Sequence, residues 1–514
     1  MTARTSLGQK SLSLLVGAWL AAFLNLLMGM FVARVLGPAA VGSLGFSLGL
    51  SGLVMAALVP GFSQAHMKRV ADGVDPGLCA STFGLIKLVL YAPLLILIFA
   101  VPRSRGFLFE TETLETVFVL LFAGRVLSSF SEVFTLILVA RERVIQQSVA
   151  LLAARGVRLL ATVAVLVWAP EITLIAATFL LEGFVELVGS MLAVRLSLGI
   201  RLRWPTASVI RSYWVYARPL LVSVPFGMFQ DSIDRVVVKQ WAGLSVAGYY
   251  HVARGFWELL GALNAYPAML LFTRMSGLFA ARSPERDREA RALFYSGMDK
   301  LLFVATPVGL VLWLATRPII ATFFGTAFLP AAVAVHVFVL ANLAATLTNN
   351  YTQVLYAVEA HGRLVPVVPP RAALYFVLLM VLVPAEPLAG WIPTLGLGAA
   401  GAALGRLFLV LFPAWMYVAW TREVAGVTFF ARSWLYVAGF AAGVISGTAA
   451  AWLAYSIGMP AMVSEPAAVV SGLAAYAALL GALHPELPGT LRYCLDLVSP
   501  RGIRGFVSRE IGKS

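Results

Sequence analysis

Charge is scarce in this chain: Asp, Glu, Lys and Arg make up 12% of its 514 residues, about half of what a soluble domain carries. That scarcity argues against a soluble fold. Cysteine is scarcer still, with Cys79 and Cys494 far apart in sequence, so neither a disulfide framework nor a cysteine-based zinc site is indicated. The five histidines show no metal-ligand spacing and no H-E-x-x-H occurs, which removes metalloprotease chemistry. The chain ends in "GKS" at 512–514, but the glycine that a phosphate-binding loop needs at 507 is Val507, so no ATPase is encoded. Gly396, Gly398 and Gly401 fit G-x-G-x-x-G, with Glu423 downstream. A dinucleotide site also needs a preceding strand and a soluble βαβ unit, whereas these glycines open an apolar run. No cofactor is expected, and nothing points to covalent chemistry or an enzyme.

Apolar residues dominate instead, at 60% of the chain with mean hydropathy +0.89. A bilayer core takes about 20 apolar residues per helix, and about 14 runs reach or approach that length: 12–33, 41–62, 83–101, 114–140, 149–168, 172–194, 213–238, 246–272, 298–316, 329–357, 364–383, 397–419, 433–456 and 466–483. The first run is longer than a signal-peptide core and lacks a small-residue cleavage pattern, so it reads as a membrane helix. Of the connections, only 273–297 is long enough for a soluble helix. The basic tail 484–514 is suited to the membrane surface.

The net charge of +14 concentrates in the N-terminal segment, in alternate connections and in the tail. Membrane lipid and topology account for it without nucleic acid. The bias predicts that both termini are cytoplasmic; the expected location is the cell inner membrane.

One pattern recurs. "FVARVLGPAAVGSLGFSLGL" at 31–50 is followed 206 positions later by "VVKQWAGLSVAGYYHVARGF" at 237–256, aligning Gly37 with Gly243 and Gly42 with Gly248. Each copy is a helix, a glycine break and a second helix. Six helices separate the copies, an even number, so both enter the membrane in the same sense. The expected architecture is an all-α polytopic membrane protein with two six-helix lobes, 1–200 and 201–425, related by a parallel pseudo-two-fold. Two extra helices follow within 426–483, and then the tail. Parallel repeats of this kind occur in alternating-access transporters, and prolines such as Pro60, Pro93, Pro219, Pro225, Pro267 and Pro307 provide bending points.

Ionisable residues inside the apolar runs mark the candidate site. Lys87, Arg125, Arg155, Arg158, Arg218, Arg254 and Arg406 would each cost roughly 2.5–3.5 kcal/mol at a helix centre unless they face a wet or paired interior. Arg155 and Arg158, three apart, share a helix face and can grip one anion through forked donors suited to phosphate or carboxylate. Lys87 and Arg218, near helix ends, have snorkelling to the interface as the competing reading. Arg254 is spaced to pair with Glu258. Glu182 and Glu186, four apart, either pair with Arg155 or Arg158 or hold a proton for coupling. Asp231 and Arg235 are spaced for a local structural pair.

Three stretches resemble a known family: "DRVVVKQWAGLSVAGYYHVARGFWELLGAL" at 234–263, "ARVLGPAAVGSLGFSLGLSGL" at 33–53 and "GLGAAGAALGRL" at 396–407. They are similar to the polysaccharide-export branch of the multidrug/oligosaccharidyl-lipid/polysaccharide exporter superfamily, the O-antigen-type flippases. The resemblance implies two six-helix lobes around a cationic cavity that moves a polyprenyl-pyrophosphate-linked oligosaccharide between leaflets. It implies a polar lining for the sugars, for which Asn25, Gln230, Asn264, Asn349, Asn350 and Gln353 are available. Association with a polysaccharide polymerase or glycosyltransferases would also fit. Two readings compete with it. A cation-coupled multidrug exporter of the same superfamily would have an acid-dominated cavity and about 12 helices. A membrane glycosyltransferase or polymerase would need a large acidic loop.

Overall fold

The computed structural model describes residues 2–56, 61–100, 109–141, 143–218, 220–279, 283–387 and 393–484. The expected tail therefore lies, beyond His484, outside the described residues, as do Pro60 and Pro219. All regular structure among the described residues is helical. The helices are α1 (Thr2–Ala56), α2 (Phe62–Ala71), α3 (Pro76–Ala100), α4 (Glu112–Ala140), α5 (Val144–Trp168), α6 (Ile172–Leu198), α7 (Ala207–Ala217) and α8 (Leu220–Ala242). They continue with α9 (Leu244–Phe279), α10 (Pro284–Ile319), α11 (Ala332–Ala357), α12 (Val368–Leu382), α13 (Gly398–Leu411), α14 (Ala414–Ala425), α15 (Ser433–Ser456) and α16 (Ala461–Leu483).

Eleven helical stretches among the described residues are long and apolar enough to cross a membrane. The expected count of about 14 depends on two further steps. One divides α1 at Gly37, whose φ of 77° and ψ of −177° interrupt the helix. The other admits α8 and α9, which carry charges inside their apolar lengths. Large side chains such as Leu160, Val167, Trp168, Ile445 and Trp452 stand exposed on α5 and α15, as they do on helices whose outer surface meets lipid, and the tryptophans lie toward helix ends as interfacial anchors do.

Three expected boundaries are corrected. The run 213–238 is two helices, because α7 ends at Ala217 and a separate helix begins at Leu220. The segment 273–297 is not a separate soluble helix. Its first part completes α9, and its last part opens α10, where the Ser283 hydroxyl accepts from the Arg286 amide at 3.4 Å and Glu285 and Asp287 favour the helix start. The run 397–419 breaks between α13 and α14, where Pro413 cannot continue a helical hydrogen-bond ladder.

Packing explains why the chain contains the same motif twice. Helix α1 lies along α4 and α5 on one side and along α8 and α9 on the other, joining the two groups of helices. Gly243, like Gly37, has a positive φ, at 85°. Past these breaks the second halves of the two motifs press together backbone to backbone. A Cβ on Gly42 would overlap the Leu244 carbonyl, and one on Gly248 would overlap the Pro38 carbonyl. Residues 38 and 244 are themselves equivalent under the 206-residue offset, so the contact is reciprocal. Gly45 likewise meets its own equivalent, His251.

Polar ties reinforce this seam. Lys239 Nζ at the end of α8 lies 3.0 Å from Glu110 just before α4 and 5.0 Å from the Phe46 ring centre. Arg34 donates to the Thr322 carbonyl at 2.6 Å. The final pair, α15 and α16, packs mainly on itself and on α10. Leu310 and Leu314 of α10 fill the space left by Gly443, Gly447 and Gly472, and Tyr436 and His484 both bond Asp299 Oδ1, at 2.8 and 3.1 Å.

Substituting Gly42 or Gly248 by Ala therefore forces the seam apart. Overpacking typically costs about 1–3 kcal/mol, which corresponds to roughly a 5- to 150-fold shift in the ratio of open to closed seam. The expected outcome is a longer distance between nitroxide labels on Ala39→Cys and Ser245→Cys, both exposed at the start of the seam.

A charged cavity between the two groups of helices

A cavity of about 450 Å³ is walled by α1, α4, α5 and α6 on one side and by α8 and α9 on the other. Close helix packing builds the first wall. Gly124 and Gly183 let α4 and α6 approach until a Cβ on either would strike the other helix's backbone, which sets Arg125 beside Glu182 on the cavity surface.

Both Arg155 and Arg158 line the cavity, and they share one carboxylate. Arg155 Nη1 lies 2.8 Å from Glu182 Oε1, and Arg158 Nη1 lies 2.9 Å from Glu182 Oε2. Arg158 also donates to Asn25 Oδ1 at 3.2 Å, with its guanidinium 3.4 Å over the Phe179 ring. The spacing expectation that Glu182 pairs with these arginines corresponds to what is present. Its neighbour Glu186 also lines the cavity and shares neither of these arginines.

Arg125 also lines the cavity and makes no ion pair among the described residues. On the opposite wall Arg235 Nη2 lies 2.8 Å from Glu258 Oε1, so the expected Asp231 and Arg235 pair is corrected. Asp231 bonds Arg406 Nη1 at 3.0 Å instead, because Arg406 of α13 reaches α8 at that turn.

Four of the sequence-selected cations lie elsewhere. Buried Lys87 sits behind the cavity wall, its Nζ 2.9 Å from Glu132 and 2.6 Å from the Ser129 hydroxyl, so it does not snorkel. Arg254 and Arg406 converge on Asp234. Arg254 Nη1 is 2.6 Å and Arg406 Nη2 2.8 Å from its Oδ2, which also accepts from the Tyr250 and Tyr375 hydroxyls at 2.7 and 2.9 Å. The expected Arg254 and Glu258 contact exists at 3.4 Å but is the longer of Arg254's two ion pairs. Arg218 is exposed at the joint between α7 and α8, away from the cavity.

Of the proposed polar lining, Asn25 reaches the cavity. Gln230 is engaged by Arg371 at 2.9 Å, and Asn264 by Asn342 and Thr346. Sequence reasoning missed Arg235 and His251 as cavity residues. The signal was available in the repeat, because under the 206-residue offset they fall on Gly29 and Gly45, and all four line the cavity or seam.

Four arginines and four glutamates line the cavity, and of these arginines Arg125 is the one without an ion pair among the described residues. The Nε atoms of Arg155, Arg158 and Arg235 and one ring nitrogen of His251, Nδ1, are buried without hydrogen-bond partners. No group of His, Cys, Asp and Glu among the described residues is arranged to hold a metal ion.

A multi-pass helical membrane protein whose two helix groups enclose a charged cavity has the architecture of a transporter. Structural comparison agrees on the fold. A lipid II flippase, MurJ, solved in an inward closed conformation, superposes with TM-score 0.68 at 12% identity, over 92% of this chain and 99% of that one. An inward-facing multidrug resistance MATE family transporter of the MOP superfamily gives 0.57 at 13% identity, over 79% and 95%. A MOP superfamily transporter from Pyrococcus furiosus, described as having a binding pocket of reversed polarity, gives 0.50 at 15%, over 82% and 95%. No curated protein sequence matches this chain. The family model described as polysaccharide biosynthesis protein matches residues 31–333, and the chain belongs to that family.

The two kinds of cation should separate in a stability experiment. Asp234→Ala leaves two buried guanidiniums without their shared carboxylate, a loss of about 3–5 kcal/mol. Arg125→Gln breaks no ion pair and should leave thermal unfolding in detergent close to wild type.

Proposed function

We propose that this protein is a flippase that moves a polyprenyl-pyrophosphate-linked oligosaccharide from the cytoplasmic to the outer leaflet by alternating access, for assembly of cell-surface polysaccharide. The carrying observation is Arg125, which lines the cavity outside any ion pair among the described residues, beside Arg155, Arg158 and Arg235. A doubly charged phosphate ester supplies the acceptor that Arg125 lacks. Arg125, Arg155 and Arg158 would hold it from the first wall and Arg235 from the second. Asn25 and Glu186 would face the sugars. Membership in a polysaccharide biosynthesis family and the fold shared with a lipid II flippase support this substrate class. A drug exporter is less well supported, because in this cavity Glu182 and Glu258 are each occupied by two arginines.

In this reading the lobes are 1–200 and 201–425, and 426–483 forms an accessory pair. Both termini are cytoplasmic in the cell inner membrane, and the polysaccharide polymerase or glycosyltransferases are neighbours. The glycine seam then closes the outer face, so the structure is closed to the outside. Lys87, Arg254 and Arg406 serve the cavity indirectly, by fixing Glu132, Asp234 and Asp231.

The test is export of surface polysaccharide in a deletion strain carrying Arg125→Gln plus Arg155→Gln at verified expression. Loss of export by at least tenfold, with lipid-linked oligosaccharide accumulating on the cytoplasmic leaflet, is the expected result. Normal export with altered drug sensitivity would transfer the assignment to the multidrug exporter.

A further inference from the structure

His251 is a titratable residue without a partner at the place where the two halves of the protein touch. It lines the cavity from α9, makes no hydrogen bond among the described residues, and its Nδ1 is buried. The cause is its position in the seam. Gly45 of α1, its own equivalent in the repeat, lies so close that a Cβ there would be 3.0 Å from His251 Nδ1. Glycine gives the ring a flat backbone to lie on and no acceptor for a proton.

A neutral imidazole carries one N–H and one acceptor nitrogen, so it can turn its proton toward the cavity through Nε2 and leave Nδ1 bare. An imidazolium carries N–H on both nitrogens. With the seam closed, the second N–H faces Gly45 with nothing to accept it, and a buried unsatisfied donor on a charged group is costly. Once α1 and α9 separate, water reaches Nδ1 and the cost disappears. The charged groups around the ring come from three helices: Arg235 of α8, Arg158 of α5 and Glu258 of α9 line the same cavity, and Arg254 follows three residues on in α9. The stretch of α1 against the ring contributes only glycine.

We infer that His251 is a proton-binding site linked to the lobe movement, neutral while the seam is closed and protonated when it opens. A proton taken from water at the open outer face leaves through the cavity to the cytoplasmic side when the seam closes again, and nothing else is consumed. The site thereby lets a proton gradient bias the cycle, which supplies an energy source for a chain that encodes no ATPase. The inference rests on the alternating-access reading for the movement and for which face is outside, but not on the identity of the substrate.

The experiment uses the full chain in lipid nanodiscs, with nitroxide labels on Ala39→Cys and Ser245→Cys and Cys494 replaced by Ser. Cys79 is buried and stays. Label distances are measured at about pH 8 and about pH 5.5, on either side of the ordinary histidine range. The expected result is that acid enriches the long-distance, seam-open population by up to about tenfold per pH unit. His251→Gln should remain closed at both values, and His251→Arg, permanently charged, should be open at both. If His251→Gln fails to fold, the arginine variant decides alone. A wild-type distribution that does not move with pH, an acid shift that survives in His251→Gln, or a closed His251→Arg overturns the proton site. None of these results alters the export assay of the arginine variants, so failure here and failure of the flippase reading are distinguishable.

Discussion

One constraint governs the charged interior of the described residues: a guanidinium buried among apolar helices has to be matched. Asp234 shows the constraint met in full. It has no exposed surface, and its carboxylate receives two arginines, two tyrosine hydroxyls and the Arg235 amide. That cluster ties α8 to α9, α12 and α13 and fixes the wall from which Arg235 and His251 face the cavity. On the other side Glu182 does the same for α5 and α6 through Arg155 and Arg158. The ion pairs are the struts of the cavity walls.

The glycine seam supplies the second requirement, a contact that holds without chemistry specific to either partner. Gly42 and Gly248 meet through backbone, and each is opposed by the residue equivalent to the other's neighbour. A symmetric contact between repeats is undemanding of side-chain detail, which leaves the two copies free to diverge elsewhere. They have diverged strongly. The position of Asp234 in the second motif is Met28 in the first, and that of Arg254 is Leu48. One motif therefore became an apolar helix pair and the other a charged one, around a common hinge geometry.

This division explains what could be read from the sequence. Apolar run length, the Gly37 and Gly243 breaks and the cations at 125, 155 and 158 follow from period and composition, and they locate most of the fold and one cavity wall. The joint at 217–220 and the break at Pro413 were not legible, because a short interfacial helix and a kinked membrane helix have the same hydropathy as an uninterrupted one. Pairing was the weakest inference. Local spacing favoured Asp231 with Arg235, yet both found partners on other helices, since a membrane interior offers strong incentives to any nearby counter-charge whatever its distance in sequence. His251 has no metal-like spacing to mark it, and its place opposite Gly45 of the other motif copy is set by packing between helices, which spacing along one helix does not reveal.

What separates structural from functional charge here is completeness. Lys87, Arg254 and Arg406 are buried and satisfied, and removing their partners should cost stability. Arg125, on the cavity wall, is left without a counter-charge among the described residues. Such local shortfalls are expected at working sites, where stability is given up for function. On the proposed function the missing acceptor arrives with the substrate. An anion seated between Arg125 and Arg235 would touch both walls at once, so its binding energy would depend on how the lobes stand relative to each other. A ligand moves a conformational equilibrium only through such differential contact. Arg125 and Arg235 are therefore the groups through which a bound lipid phosphate can act on the seam.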